Sequence, residues 1–206
     1  MKVRSHRRQK RSPRRQRGAL LIEVLVAVVI CAFGLLGFAG MQVRATSAEF
    51  EAYQRSQALL LVEDMSNRIN ANRLRAGDYV SAALIGDGST LADCSFSGGV
   101  PTPMQRAALD LCEWGNLIRG SSEARGGAYV GAMLSARGCI IRPAGSSDRY
   151  LISVAWQGIV PTGAPANACG EGDPAFPSEA VRRTASSTLC VALLRDPAAP
   201  PALSRC

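Results

Sequence analysis

From Val24 to Met41 the chain runs for 18 residues without one charged or strongly polar side chain. At about 1.5 Å of rise per residue, a helix of that length covers roughly 27 Å, close to the hydrocarbon thickness of a bilayer. A secretory signal peptide has a shorter apolar core and then a small-residue cleavage site, and no such break follows here. The helical pattern continues instead through "MQVRATSAEFEAYQRSQALLLVEDMSNRINANRLRAGDY". Leu61, Met65 and Ile69 recur at every fourth residue with Ala58 and Val62 beside them, while Glu49, Glu51, Arg55, Glu63 and Arg68 supply polar faces. The pattern predicts one helix from residue 19 to about 75, roughly 85 Å long, apolar all round in its first half and one-sided in its second. Arg73 and Arg75 followed by Gly77 mark the expected stop. Gly34, Gly37 and Gly40 fall at i+3 spacing, which suits close packing or local unwinding, and equally the ordinary abundance of glycine in membrane helices.

Charge distribution narrows the reading. The net charge of +8 first suggests a nucleic-acid partner, but residues 1–18 hold nine positive side chains and no Asp or Glu. Removing those nine leaves −1 for the rest of the chain. A basic arm directly before an apolar span is a topogenic signal that holds its end in the cytoplasm. The near-neutral body gives no sign of phosphate binding, so no direct nucleic-acid contact is expected.

Seven cysteines are present: Cys31 in the apolar run, then Cys94, Cys112, Cys139, Cys169, Cys190 and Cys206. Six cysteines with no C-x-x-C pair, in a body whose only histidine (His6) lies in the arm, fit disulfides in an oxidising compartment better than a zinc site. Fifteen pairings are open to six cysteines. Cys31 is expected as a small buried hydrophobe rather than a reactive thiol.

After Gly77 the composition shifts to Gly, Pro and Ser punctuation between short patterned runs. "MQRAALDLCEWGNLI" places Met104, Ala107 or Ala108, Leu111, Trp114 or Gly115, and Ile118 on one helical face, with Pro103 at its entry. Strands are expected over 128–134, 138–142, 150–156 and 186–194, with a Pro-, Gly- and Ala-rich loop at 158–180 that is a candidate contact surface. Short consecutive strands favour an antiparallel sheet whose apolar face needs a cover, and the long helix offers one. The expected fold is α+β: a small disulfide-bonded head on a helical stalk. Trp156 is expected to pack between sheet and helix.

Glu23 breaks the apolar pattern. A charge at mid-membrane costs about 2.5–3.5 kcal/mol on insertion scales and less near the interface. Glu23 lies in the first two turns of the span, so a headgroup-facing carboxylate is one reading and a partner cation present only in the functional state is another.

A basic leader ending in Gly18, then "ALLIEVLVAVVI" with Glu23 fifth after that glycine, resembles the class III signal of type IV pilins and type II secretion pseudopilins. The resemblance implies cleavage between Gly18 and Ala19 by a prepilin peptidase, N-methylation of Ala19, and retention of the apolar helix. It also implies that Glu23 meets the terminal amine of a neighbouring subunit during assembly, and that the fold is the pilin α+β fold. The domains would be a leader at 1–18, a transmembrane and filament-core helix at 19–43, its amphipathic continuation at 44–76, and a globular head at 77–206. Two departures stand out: Ala19 occupies a place where many members have phenylalanine, and Gly40 stands where major pilins often carry a kinking proline.

"AFGLLGFAGMQ", "YQRSQALLLVEDMSNRINANR", "DLCEWGNLI", "RGCIIR", "YLISVAWQG", "ACGEG" and "RRTASSTLCV" are similar to minor pilins. That likeness implies a low-abundance subunit that primes pilus assembly and sits at or near the tip. Its partners would be other minor pilins, the major pilin, a tip adhesin, the inner-membrane assembly platform and, before assembly, lipid. The location implied is the bacterial inner membrane with the head periplasmic, then the pilus surface. It further implies Cys139–Cys169 as a pair, Cys94–Cys112 as a local bridge and Cys190–Cys206 as a tie on the tail.

Catalysis finds little support. The chain beyond the leader has no histidine and no G-x-S-x-G, H-E-x-x-H, P-loop or dinucleotide fingerprint. Asp110, Glu113, Glu171 and Asp173 are scattered and expected to be solvated, and "GDGS" at 86–89 is expected as a turn, lacking the later ligands of an EF-hand. A non-enzyme with no cofactor and no metal is expected. The rival readings are a minor pseudopilin of a type II secretion system and an uncleaved single-span membrane protein. Genomic neighbours separate the first, and tolerance of Glu23→Gln the second.

Overall fold

The structure is a computed structural model and describes residues 19–86, 92–121, 124–125, 128–129 and 133–191. The chain divides into two compact units, Met1–Ser47 and Ala48–Cys206. The fold is α+β, with a long N-terminal helix and a small antiparallel sheet.

Helix α1 runs from Ala19 to Ala71. In the first unit its residues 21–46 are all exposed. In the second unit Ala58, Val62, Met65 and Ile69 are buried, which is the stripe expected from their spacing. A 3-10 helix over Arg73–Tyr79 replaces the expected last turn, so α1 ends about four residues early. Asn72 is the cause. Its N–H is shared between the Arg68 and Ile69 carbonyls, which tightens the turn, and its side-chain amide donates to Pro103 O at 2.7 Å and to the Tyr79 hydroxyl at 3.2 Å. Those distant acceptors hold Asn72 outside helical geometry.

Helix α2, Pro103–Ile118, opens on a capping box: Thr102 accepts from the Gln105 backbone while the Gln105 side chain accepts from the Thr102 N–H. Its buried face carries Ala107, Asp110, Trp114, Gly115 and Ile118. Met104, expected on that face, sits at its margin and is 59% exposed, because the face is turned toward Asp110.

Strands β1 (Ala124–Arg125) and β2 (Ala128–Tyr129) form a two-residue ladder. Of the strand expected over 128–134, Ala128–Tyr129 is strand, 130–132 lie outside the described residues, and Leu134 is in a turn. Strands β3 (Arg137–Ile141), β4 (Arg149–Gln157) and β5 (Arg182–Cys190) make an antiparallel sheet in the order β3-β4-β5. β5 starts four residues before its expected place because it matches all nine residues of β4, from Arg149↔Cys190 to Gln157↔Arg182. Residues 192–194 lie outside the described residues.

Alternation along β4 builds two apolar layers. Tyr150, Ile152, Val154 and Trp156 join α1 and α2 in the main core, so Trp156 packs as expected. Ala155 faces the other way, into a smaller cluster with Cys169, Phe176 and Cys139. Burial of each large side chain in the main core contributes about 1.5–3 kcal/mol. Trp114 of α2 lies over β3 at Gly138, where a Cβ would come within 2.4 Å of its ring, so only glycine allows this approach. The Trp114 indole N–H donates to Leu61 O of α1 at 2.8 Å, which joins helix, helix and sheet at one side chain.

Candidate functional site: an apolar helix with one carboxylate

Ala19 is the first residue of α1 and Glu23 the fifth, about 6 Å further along the axis by helical rise. Gly18, the expected cleavage residue, lies outside the described residues. Glu23 is exposed, and so are Leu21, Ile22, Val24 and Leu25 around it. Between Ala19 and Val43 there is no Lys or Arg, and the next cation along α1 is Arg44. Among the described residues Glu23 has no hydrogen-bond or ion-pair partner.

The segment around Glu23 is long and apolar enough to cross a membrane, and no part of its most apolar window is buried within the chain. Apolar surface around a full circumference needs lipid or other helices as its solvent. A carboxylate on such a surface needs a proton or a cation supplied from outside. Cys31 is a free thiol on the same surface and is exposed among the described residues, where a buried hydrophobe is expected.

Carboxylates of the second unit find their partners inside the fold. Glu51 on α1 accepts from the Ile159 and Val160 N–H groups, each at 3.2 Å, and from Arg183 at 3.4 Å. Arg183 also donates to Val160 O. Arg68 donates to Asp64 at 2.8 Å, to Asp110 at 3.2 Å and to Glu113 at 2.6 Å, tying the end of α1 to α2. Burial opposes its charge, but these hydrogen bonds outweigh it and hold the guanidinium's pKa above its ordinary value. Asp110 also takes the Tyr79 hydroxyl at 2.6 Å. Burial first, and then this hydrogen bond, push the Tyr79 phenol above its usual range.

Asp110 and Asp173, expected to be solvated, are both bonded, Asp110 buried and Asp173 half-buried. Asp173 accepts from Arg137 at 2.7 Å and from the Ala175 N–H at 2.8 Å. Glu113 is half-exposed on Arg68, and Glu171 is exposed. Arg182, 2% exposed, organises the 158–181 loop by donating to the Asn167 and Cys169 carbonyls at 2.6 and 2.9 Å and to Glu179 at 2.5 Å. Local sequence offers Arg68 its neighbour Asp64 and Arg182 its neighbour Glu179, but gives no signal for the partners of Glu51 or for the more distant partners of Arg68 and Arg182. Residues 87–89 of the "GDGS" stretch lie outside the described residues, while Gly86 has the positive φ of a turn.

Cys94 and Cys112 are bridged with Cα atoms 5.7 Å apart, and Cys139 and Cys169 with Cα atoms 5.8 Å apart. Cys190 is disulfide-bonded; Cys206 lies outside the described residues.

Among the described residues one helix is long and apolar enough to cross a membrane, and it continues into the helical and sheet elements of the second unit. Residues 40–112 match the family model described as type IV pilin Tt1218, a stretch running from the middle of α1 into α2. The chain is similar there to a type IV pilin, and the match supports a pilin. No curated protein matches the chain, and no solved structure matches it.

Proposed function

We propose that the chain is a minor pilin: a low-abundance subunit that helps prime type IV pilus assembly and sits at or near the tip with other minor pilins and an adhesin. Its sequence likeness is to the pilus-modification pilin PilV. The observation that carries this reading is the unpartnered Glu23 on a helix apolar around its full circumference, fifth after Gly18 and behind a basic arm. A prepilin peptidase would cut between Gly18 and Ala19, discarding residues 1–18. The new Ala19 amine, once methylated, is a cation of the kind Glu23 lacks, and in a filament it would come from a neighbouring subunit.

Residues 19–43 would then pass from inner-membrane lipid into the filament core, with 44–76 and the head at 77–206 on the periplasmic side. The role is structural, serving pilus biogenesis, adhesion and twitching motility. The test is the intact and N-terminal fragment mass of the protein from its native membrane, with and without active peptidase. A peptidase-dependent N-terminus at methylated Ala19 is the expected result. A chain that keeps its arginine leader beside active peptidase would overturn the reading in favour of a static membrane anchor.

A further inference from the structure

We propose that the Cys94–Cys112 disulfide is a redox-releasable staple: a dithiol reductant opens it and frees segment 93–101 while the rest of the head keeps its fold. This inference stands independently of the pilin reading. Attack on a disulfide needs access to sulfur, either directly or through local opening, and local opening is cheap where little is buried. Residues 92–100 are exposed throughout except for half-buried Cys94, and Val100 is 95% exposed. The segment has no regular secondary structure. Cys112 itself is half-buried on the rigid helix α2, so the Cys94 side is the one that moves.

Two anchors outlast the bond. At the near end the Asn116 amide pairs with Ala92, accepting its N–H at 2.9 Å and donating to its carbonyl at 2.8 Å. At the far end the Thr102–Gln105 capping box is closed within residues 102–105 and does not use the disulfide. Reduction therefore lengthens a tethered loop and leaves both of its ends in place.

The Cys139–Cys169 bond is held more firmly: Cys139 is half-buried, as Cys94 and Cys112 are, but its partner Cys169 is buried. Cys169 is 5% exposed and packs with Ala155 and Phe176 against the sheet. Its loop is also held by Arg182 on the Asn167 and Cys169 carbonyls and by Asp173 on Arg137. Moving Cys169 away from Cys139 means breaking those contacts of its loop.

In the exchange a thiolate of the dithiol attacks one cysteine sulfur and the other cysteine leaves as a thiolate and is protonated; the reductant's second thiolate then attacks the reductant sulfur of the mixed disulfide and expels the first cysteine, which is protonated in turn. Two protein thiols and one oxidised reductant result. The test treats the full chain in detergent with dithiothreitol for graded times, traps free thiols with iodoacetamide, and maps the labelled peptides while following tryptophan emission. Trp114 lies two residues from Cys112 and is fully buried, so its emission reports on α2. Cys94 and Cys112 should label at least about tenfold faster than Cys139 and Cys169, with emission unchanged meanwhile. Equal or reversed rates, or a red shift that accompanies labelling of Cys94 and Cys112, would overturn the proposal. The paired variant Cys94→Ser/Cys112→Ser should keep native emission and an unaltered rate at Cys139–Cys169; failure of that variant to fold would overturn it as well.

Discussion

Glu23 and Glu51 lie on one helix, about eight turns apart, in unlike surroundings. Around Glu51 the chain brings two backbone N–H groups and an arginine to the carboxylate. Around Glu23 it brings leucine, isoleucine and valine, and no cation before Arg44. The apolar side chains differ in the same sense: those of 21–43 are exposed on every side, whereas Ala58, Val62, Met65 and Ile69 are buried in a stripe. The second unit builds a core of its own and pairs Glu51, Asp110 and Asp173 within it. The described residues of the first unit bury no apolar side chain of their own, and Glu23 among them has no partner.

The largest effect separating the two regions should come from apolar truncation. Met65→Ala removes a fully buried side chain and should lower head stability by about 2–5 kcal/mol. Val29→Ala, on the exposed part of α1, should leave head unfolding within about 0.5 kcal/mol of the parent. Denaturant unfolding in detergent followed by tryptophan emission measures both. Equal losses would break the comparison, since the span would then contribute to the head's own core.

Next comes Asp110, the buried carboxylate shared by Arg68 and Tyr79. Asp110→Ala leaves the Tyr79 hydroxyl without its acceptor and takes one of three carboxylates from Arg68. A loss of about 2–3 kcal/mol is expected in the same unfolding experiment. Tyr79 should then ionise nearer the ordinary phenol range, readable by ultraviolet titration, because one of the two causes of its raised value is gone.

These residues also show what sequence can and cannot reveal. The Met65 stripe follows from a 3.6-residue period, and the apolar layers of β4 from a period of two, so both are local patterns. Glu23 is equally local: one charge inside one apolar run. Asp110 was read as solvated because its partner Arg68 is 42 residues away, and Asp173 because Arg137 is 36 away. The end of α1 at Ala71 depends on Asn72 reaching Pro103, 31 residues downstream. The polar start of β5, Arg182–Thr184, becomes strand because β4 offers a partner there. Local periodicity carries the apolar skeleton; the polar contacts that trim it are set by the tertiary fold.

Asp173 gives a smaller effect with a definite pH dependence. Burial by itself would raise its pKa, but the Ala175 N–H and the Arg137 guanidinium outweigh that and lower it beneath the unfolded-state value near 3.8. A carboxylate with a lowered folded pKa contributes stability above its unfolded pKa and loses it as pH falls through the folded one. Asp173→Asn should therefore cost about 1–2 kcal/mol near pH 7, and the gap between variant and parent should close as pH falls through the lowered pKa of the folded carboxylate. Chemical denaturation at a series of pH values checks this. A gap that persists undiminished in acid would mean that the charge at Asp173 is not what stabilises its loop.

The smallest effect tests the opening contrast directly. Glu51→Ala removes the acceptor for the Ile159 and Val160 N–H groups and one partner of Arg183, at a half-exposed site where water can replace part of the loss. About 1 kcal/mol of head stability should go, with faster hydrogen exchange confined to the amides of residues 159 and 160. Glu23→Ala should leave both readouts unchanged, because no group in the described chain bonds to that carboxylate. Its effect should appear only when the protein is asked to assemble, as loss of incorporation into filaments by a chain that folds and inserts normally. If Glu23→Ala instead loosened the head as Glu51→Ala does, the two carboxylates would share a structural task and the division between them would fail.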